Sequence, residues 1–148
     1  MNFDLSQAAI TTDSSDVEFE VNGKRTGIVF EILSPAHEVR RAYDLKHARE
    51  ITAKGQRSPS KIGQALFKDP EENIADKNEE ILLAVVGWKT RTKPGEFEAG
   101  ITLDGKLVPF SRDALRSVIE APRYVLVRNF LVSALEDARN FTTSSSAI

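Results

Sequence analysis

Apolar and charged residues alternate from Val17 to Val21, with Val17, Phe19 and Val21 on one side and Glu18 and Glu20 on the other. That period of two marks a half-buried strand. Asn22-Gly23 follows, a pair that accepts the positive φ angles of a tight turn. A second run, Ile28 to Leu33, is β-branched and aromatic, with Ile28, Phe30 and Ile32 on one face. The two runs predict a hairpin with a loop of about five residues. A lone hairpin is marginal in water, so its apolar face must pack on helices or on another chain.

Helical spacing takes over after the hairpin. Ser34-Pro35 suits a helix start, a capping hydroxyl before a proline, and Gly55 supplies a left-handed stop after about Lys54. Val39, Tyr43, His47 and Ile51 recur every four residues as the inward stripe, with Ala36 and Ala42 beside it. Ser58-Pro59 predicts a short helix through Phe67, and Asp69-Pro70 a longer one to about Trp88 with Ile74, Ile81, Val85 and Trp88 on one side. Residues 89–100 read as a loop by composition, and Ile101 to Phe110 contains a turn at Asp104-Gly105. Ser111 caps a helix to about Glu120 that buries Leu115, Val118 and Ile119. Pro122 opens the last helix, whose broad apolar face includes Leu126, Phe130, Ala134, Leu135 and Ala138. The predicted class is α+β and mainly helical, an N-terminal β-hairpin packed on about four to five helices. Residues 1–16 and 142–148 are polar and read as flexible ends around a single domain, 17–141.

Composition narrows the function classes. The 148 residues suit one domain. The absence of cysteine excludes disulfides, thiolate zinc sites, iron–sulfur clusters and cysteine nucleophiles. No run approaches the ~18 apolar residues of a membrane span, and the polar, acidic opening is not a secretory signal. A net charge of −2 does not call for a nucleic-acid partner. The expectation is a soluble cytoplasmic protein with no nucleic-acid or membrane partner.

Candidate chemistry is sparse. His37 and His47, ten positions apart on one predicted helix, do not share a face and make no chelating pair. Asp69, Glu71, Glu72, Asp76, Glu79 and Glu80 lack the loop spacing of a Ca²⁺ site and suit a helix N-terminus by offsetting its dipole. No phosphate loop, dinucleotide fingerprint or nucleophile elbow is present, and Ser34, Ser58 and Ser111 stand where caps belong. These readings predict no catalytic residue, no metal and no cofactor.

Charge is segregated along the chain. Seven basic residues lie between Arg40 and Lys61 against Asp44 and Glu50, and six acidic ones between Asp69 and Glu80 against Lys77. Two such stretches can be solvated helix faces, can pack together within one chain, or can join copies head to tail. The candidate self-association set is Arg40, Arg41, Lys46 and Arg49 facing Glu71, Glu72, Glu79 and Glu80 of a neighbour.

Residues 81–141 carry a further pattern. Ile81 to Val86 and then Gly87-Trp88 read as a helix closing on a Gly-Trp pair. Asp104-Gly105-Lys106 and Val108-Pro109-Phe110-Ser111 then lead into a helix holding Leu115, and the Pro122 helix ends at Asn140-Phe141. This pattern resembles the tail assembly chaperones of long-tailed bacteriophages. The resemblance implies a non-catalytic, self-associating protein of the infected host's cytoplasm. It implies binding to the tape-measure protein while tail-tube protein polymerises around it, and absence from the finished virion. It gives Gly87, Trp88, Asp104, Gly105, Pro109, Phe110 and Phe141 as family-motif or core positions. A structural virion component, such as a tail-completion or head–tail joining protein, is the alternative within assembly, and a small hydrolase the alternative outside it.

Overall fold

The computed structural model describes residues 4–10, 12–57 and 70–142. Strands β1 (Ser14–Val21) and β2 (Lys24–Leu33) form an antiparallel hairpin. Its turn is Asn22-Gly23 alone, at φ 52° and 76°. Two successive positive φ angles match the right-handed twist of the strands, so pairing starts at Val21↔Lys24. The connection is shorter than the expected loop because Lys24–Thr26 join the ladder through their backbone, whatever their side chains.

The chain is α+β, but the expectation that it is mainly helical, with a single N-terminal hairpin packed on the helices, is overturned. The hairpin is half of a four-stranded antiparallel sheet of order β1-β2-β3-β4, completed by β3 (Val85–Lys93) and β4 (Glu96–Ala99). The helix expected to reach Trp88 ends at Ala84, and Gly87-Trp88 lies within β3 rather than at a helix end. The segment expected as a loop, 89–100, is mostly β3, a turn with Gly95 at φ 78°, and β4. The cause is alternation: Lys89 and Arg91 lie on the outward face and look loop-like in composition, while β2 supplies the backbone partners Trp88↔Phe30 and Thr90↔Ile28. A second, two-stranded hairpin follows, β5 (Ile101–Leu103) and β6 (Lys106–Val108), turning at Asp104-Gly105 with φ 49° and 79°.

The helices are α1 (Glu38–Arg57), α2 (Pro70–Ala84), α3 (Arg112–Glu120) and α4 (Val125–Glu136). Ser34-Pro35 does not cap α1. His37 does, its Nδ1 accepting the Val39 N–H at 3.1 Å, and α1 runs past Gly55 to Arg57. The inward face of α1 is turned relative to the expected stripe: Arg40 and Tyr43 are buried, and Val39 is 39% exposed. Ser111 caps α3 as expected, its Oγ accepting the Ala114 N–H at 3.0 Å above buried Leu115, Val118 and Ile119. Pro122 opens a single 3-10 turn to Tyr124, with α4 beginning at Val125 and a closing 3-10 turn over Ala138–Phe141. The short helix expected over 58–67 and the tail beyond Thr142 lie outside the described residues, and β1 begins three positions before the expected domain start at Val17.

The core lies between one face of the sheet and the helices, a two-layer arrangement. Phe19, Phe30, Ile32 and Trp88 from the sheet meet Ile81, Ala84, Leu115, Val118, Leu131, Leu135 and Phe141.

Candidate functional site

Of the motif residues, Trp88 and Phe110 meet at the core. The Trp88 ring meets Phe110 edge-on at 5.2 Å and Phe30 at 6.4 Å, and its Nε1–H donates to the Val108 carbonyl at 3.0 Å. The indole thereby fastens the small hairpin to the large sheet. Gly100 at φ 98° permits the close approach this needs, since a Cβ there would stand 2.7 Å from the Val108 oxygen. Asp104 accepts from Arg123 at 2.9 Å beside its turn, Gly105 supplies that turn's second positive φ, and Pro109 is exposed. A Cβ at Gly87 would make only ordinary contacts with Glu31 at 3.7 Å. These positions build the scaffold rather than a reactive centre.

The outward face of the sheet is covered by ion pairs. Glu18, with its side chain only 4% exposed, is held by Arg25 at 3.1 Å and by Arg91. Lys89 bridges to Asp16 at 2.7 Å and stands 4.1 Å above the Phe97 ring. Between them Val29, Glu31 and Gly87 floor a shallow hollow of about 110 Å³.

The seam between α1 and α2 gathers a polar network. Arg40 is buried; it donates to the carbonyls of Leu33 and Leu135, both at 2.9 Å, and stands 3.6 Å from Glu80 and 5.8 Å over the Phe141 ring. Burial lowers the pKa of its guanidinium, with Glu80 pulling the other way. Lys77 continues the network to Glu80 at 3.3 Å and Glu136 at 2.8 Å. One turn after Arg40, the Tyr43 hydroxyl donates to the Asp76 carbonyl at 2.8 Å, and its ring lies 4.2 Å from that of His47. Burial first, then the nearby carboxylates of Glu79, Glu80, Asp76 and Asp44, raise the phenol pKa above its ordinary range. One nitrogen of His47 and one oxygen each of Asp76 and Glu79 all lie within 4.8 Å of one another.

Of the eight residues in the self-association set, Arg40 and Glu80 are thus tied to each other within the chain. Arg41, Lys46, Arg49 and Glu79 are exposed, and the side chains of Glu71 and Glu72 lie outside the described residues. The two oppositely charged stretches therefore meet, at least in part, inside one molecule. Sequence reasoning missed Arg40 and Tyr43 as an anchor pair and the grouping of His47 with Asp76 and Glu79. The available signal was their spacing: Arg40, Tyr43 and His47 stand at i, i+3 and i+7, on one helical face.

An apolar surface borders the far side of α2. Ile74, Val125 and Leu126 are 50%, 48% and 58% exposed. Arg128, one turn after Val125, donates to Asn78 at 2.7 Å and to the Ile74 carbonyl at 3.4 Å, which sets the start of α4 beside the Ile74 turn of α2. Leu131, Ala134 and Leu135 carry the buried side of the same helix. Among the described residues no helix is long and apolar enough to cross a membrane. Comparison with known protein families, characterised proteins and solved structures gives no match.

Proposed function

We propose that this chain is a non-catalytic tail assembly chaperone of the long-tailed phage kind, holding a tape-measure protein in the host cytoplasm. The observation that carries the reading is the exposed apolar turn of α4 beside α2. Val125 and Leu126 extend an apolar arc wider than the core uses, and helices of that kind offer a surface to an amphipathic or helical partner. A tape-measure protein, long, helical and apolar, has the complementary chemistry. The sequence pattern over Asp104–Ser111 and Asn140-Phe141 supports the same reading, whereas Gly87-Trp88, placed on a strand, lends it nothing. Self-association belongs to the proposal through Arg41, Lys46 and Arg49 against the acidic helix of a second copy, and tail-tube protein is a further partner.

Co-expression with the tape-measure protein of a long-tailed phage is the test. The pair should co-purify, and Leu126→Asp with Ile74→Asp should abolish co-purification while the chain stays folded, because both residues are at least half exposed. Undiminished capture by the double variant rejects this surface. Finding the chain at stoichiometric level in purified virions rejects the chaperone reading in favour of a structural tail component. Light scattering across a salt series checks self-association, which should weaken as the screening length falls to ~3 Å near 1 M.

A further inference from the structure

We propose that the α1–α2 seam binds one divalent transition-metal ion of the Zn²⁺ class through His47, Asp76 and Glu79, clipping the two helices together. The inference is independent of the chaperone reading. Its basis is geometry across two elements rather than a run of acidic residues. The imidazole comes from the middle of α1, and the two carboxylates stand at i and i+3 on α2, a spacing that puts both on one helical face. Their donor atoms already lie within 4.8 Å of one another. Tetrahedral ligands at ~2.0–2.2 Å from zinc stand roughly 3.4 Å apart, so closure asks for at most about 1.4 Å per ligand pair, a side-chain adjustment in which exposed Glu79 is the freest to take part.

The surroundings favour the bound state. The Tyr43 ring packs against His47 at 4.2 Å while its hydroxyl fixes the Asp76 backbone at 2.8 Å, so the imidazole and the backbone that carries the Asp76 carboxylate are placed before an ion arrives. Glu50 stands 3.9 Å from His47 Nδ1 and adds negative potential. Among the described residues, Lys77 reaches Glu80 and Glu136, and Arg40 reaches Glu80 and two carbonyls. Two carboxylates balance a dication's charge. One nitrogen with two oxygens suits zinc, cobalt or nickel, whereas Mg²⁺ and Ca²⁺ favour six or more oxygens. Three protein ligands leave a coordination position for water.

Titration calorimetry of the full chain with ZnCl₂, and separately MgCl₂, tests the proposal. One Zn²⁺ should bind per chain, with a rise in melting temperature that grows with zinc concentration, and Mg²⁺ should not compete at equal concentration. His47→Ala and Asp76→Asn should each weaken zinc binding at least about tenfold, losing a ligand where even an outer partner costs that much. His37→Ala, removing the only other histidine, should leave zinc affinity unchanged. Circular dichroism establishes that each variant is folded. Should His47→Ala unfold, Glu79→Gln at the exposed ligand gives the same reading. No zinc binding by the native chain, equal loss in the His37 and His47 variants, or full affinity in Glu79→Gln overturns the site.

Discussion

The Trp88 side of the molecule and the α1–α2 seam are both buried, by opposite means. Around Trp88 the contacts are rings and aliphatic chains, with one hydrogen bond from the indole. At the seam the buried groups are a guanidinium and a phenol, held by backbone carbonyls and ringed by carboxylates. Apolar packing is non-directional and tolerates a change of side chain that keeps volume. A buried cation tolerates no loss of an acceptor, since an unpaired charge in the interior costs several kcal/mol. The core therefore sets how stable the fold is, and the seam fixes where α1 lies on it, which is what a site shared by two helices needs.

Replacing Trp88 with alanine is the largest break. It opens the middle of the core and strands the Val108 carbonyl, and removing a buried aromatic costs about 3–5 kcal/mol. Urea denaturation should register that loss, and Trp88→Phe should recover most of it. A loss under about 1 kcal/mol would place the centre of stability elsewhere.

At the seam, Arg40→Met keeps length and apolar stem and removes the donors to Leu33 and Leu135. Two buried carbonyls left unpaired cost about 1–3 kcal/mol each, and removal of the desolvated charge itself offsets part of that, so a net loss of about 2–4 kcal/mol is expected. Arg40→Lys should recover only part, because an ammonium lacks the planar fork that reaches two carbonyls at once. If methionine proves neutral, the seam behaves as ordinary core and the contrast with Trp88 disappears.

The same contrast explains what could be read in the chain. Where one face is apolar and both ends carry their own signals, as from Ser111 to Glu120 or at Asp104-Gly105, local chemistry decides and the sequence is legible. Residues 85–99 were not legible as strands. Val85 and Trp88 continue the helical spacing of Ile74 and Ile81, and the charges of Lys89, Arg91 and Lys93 look like loop. The choice falls to β2, whose unpaired edge takes β3 as a partner, and such a tertiary override is invisible to periodicity. The seam was harder still. Arg40 carries a charge and was grouped with exposed neighbours, yet carbonyls 7 and 95 positions away bury it. Along its own stretch of chain His47 has only His37 as a fellow imidazole, whereas its neighbours Asp76 and Glu79 come from the next helix.

Tyr43→Phe sharpens the seam side with a smaller effect. It removes one hydrogen bond to the Asp76 carbonyl, about 0.5–1.5 kcal/mol. The phenol's pKa is raised in the folded chain, by burial first and by Glu79, Glu80, Asp76 and Asp44 next. The native state then holds a proton the unfolded chain releases near pH ~10, so stability contributed by this group is complete below that pH and falls as pH rises above it. Ultraviolet titration should show Tyr43 keeping its proton past the ordinary phenol range. The phenylalanine variant should lose that part of the alkaline slope, and an unchanged slope would mean that other groups drive it.

The smallest expected effect lies where the two regions join. Asp137 opens the last 3-10 turn, accepting the Arg139 backbone N–H at 3.1 Å and its guanidinium at 3.0 and 2.8 Å. That turn delivers Phe141 into the core, fully buried, beneath the guanidinium of Arg40. The hydrogen bonds from Arg139 hold the Asp137 carboxyl below the usual carboxylate range. A depressed folded pKa contributes stability that is present above the unfolded value near ~3.9 and is lost as pH falls through the folded one. Asp137→Asn keeps the shape of the cap and removes the charge, so it should cost at most about 1 kcal/mol at neutral pH. The variant and the native chain should then converge in stability in acid, once the pH has fallen below the folded carboxyl's depressed value and both side chains are neutral. Urea denaturation at the two pH values decides the mechanism. A deficit that persists undiminished in acid would show that the cap works through shape alone, and that the join between core and seam owes nothing to this ion pair.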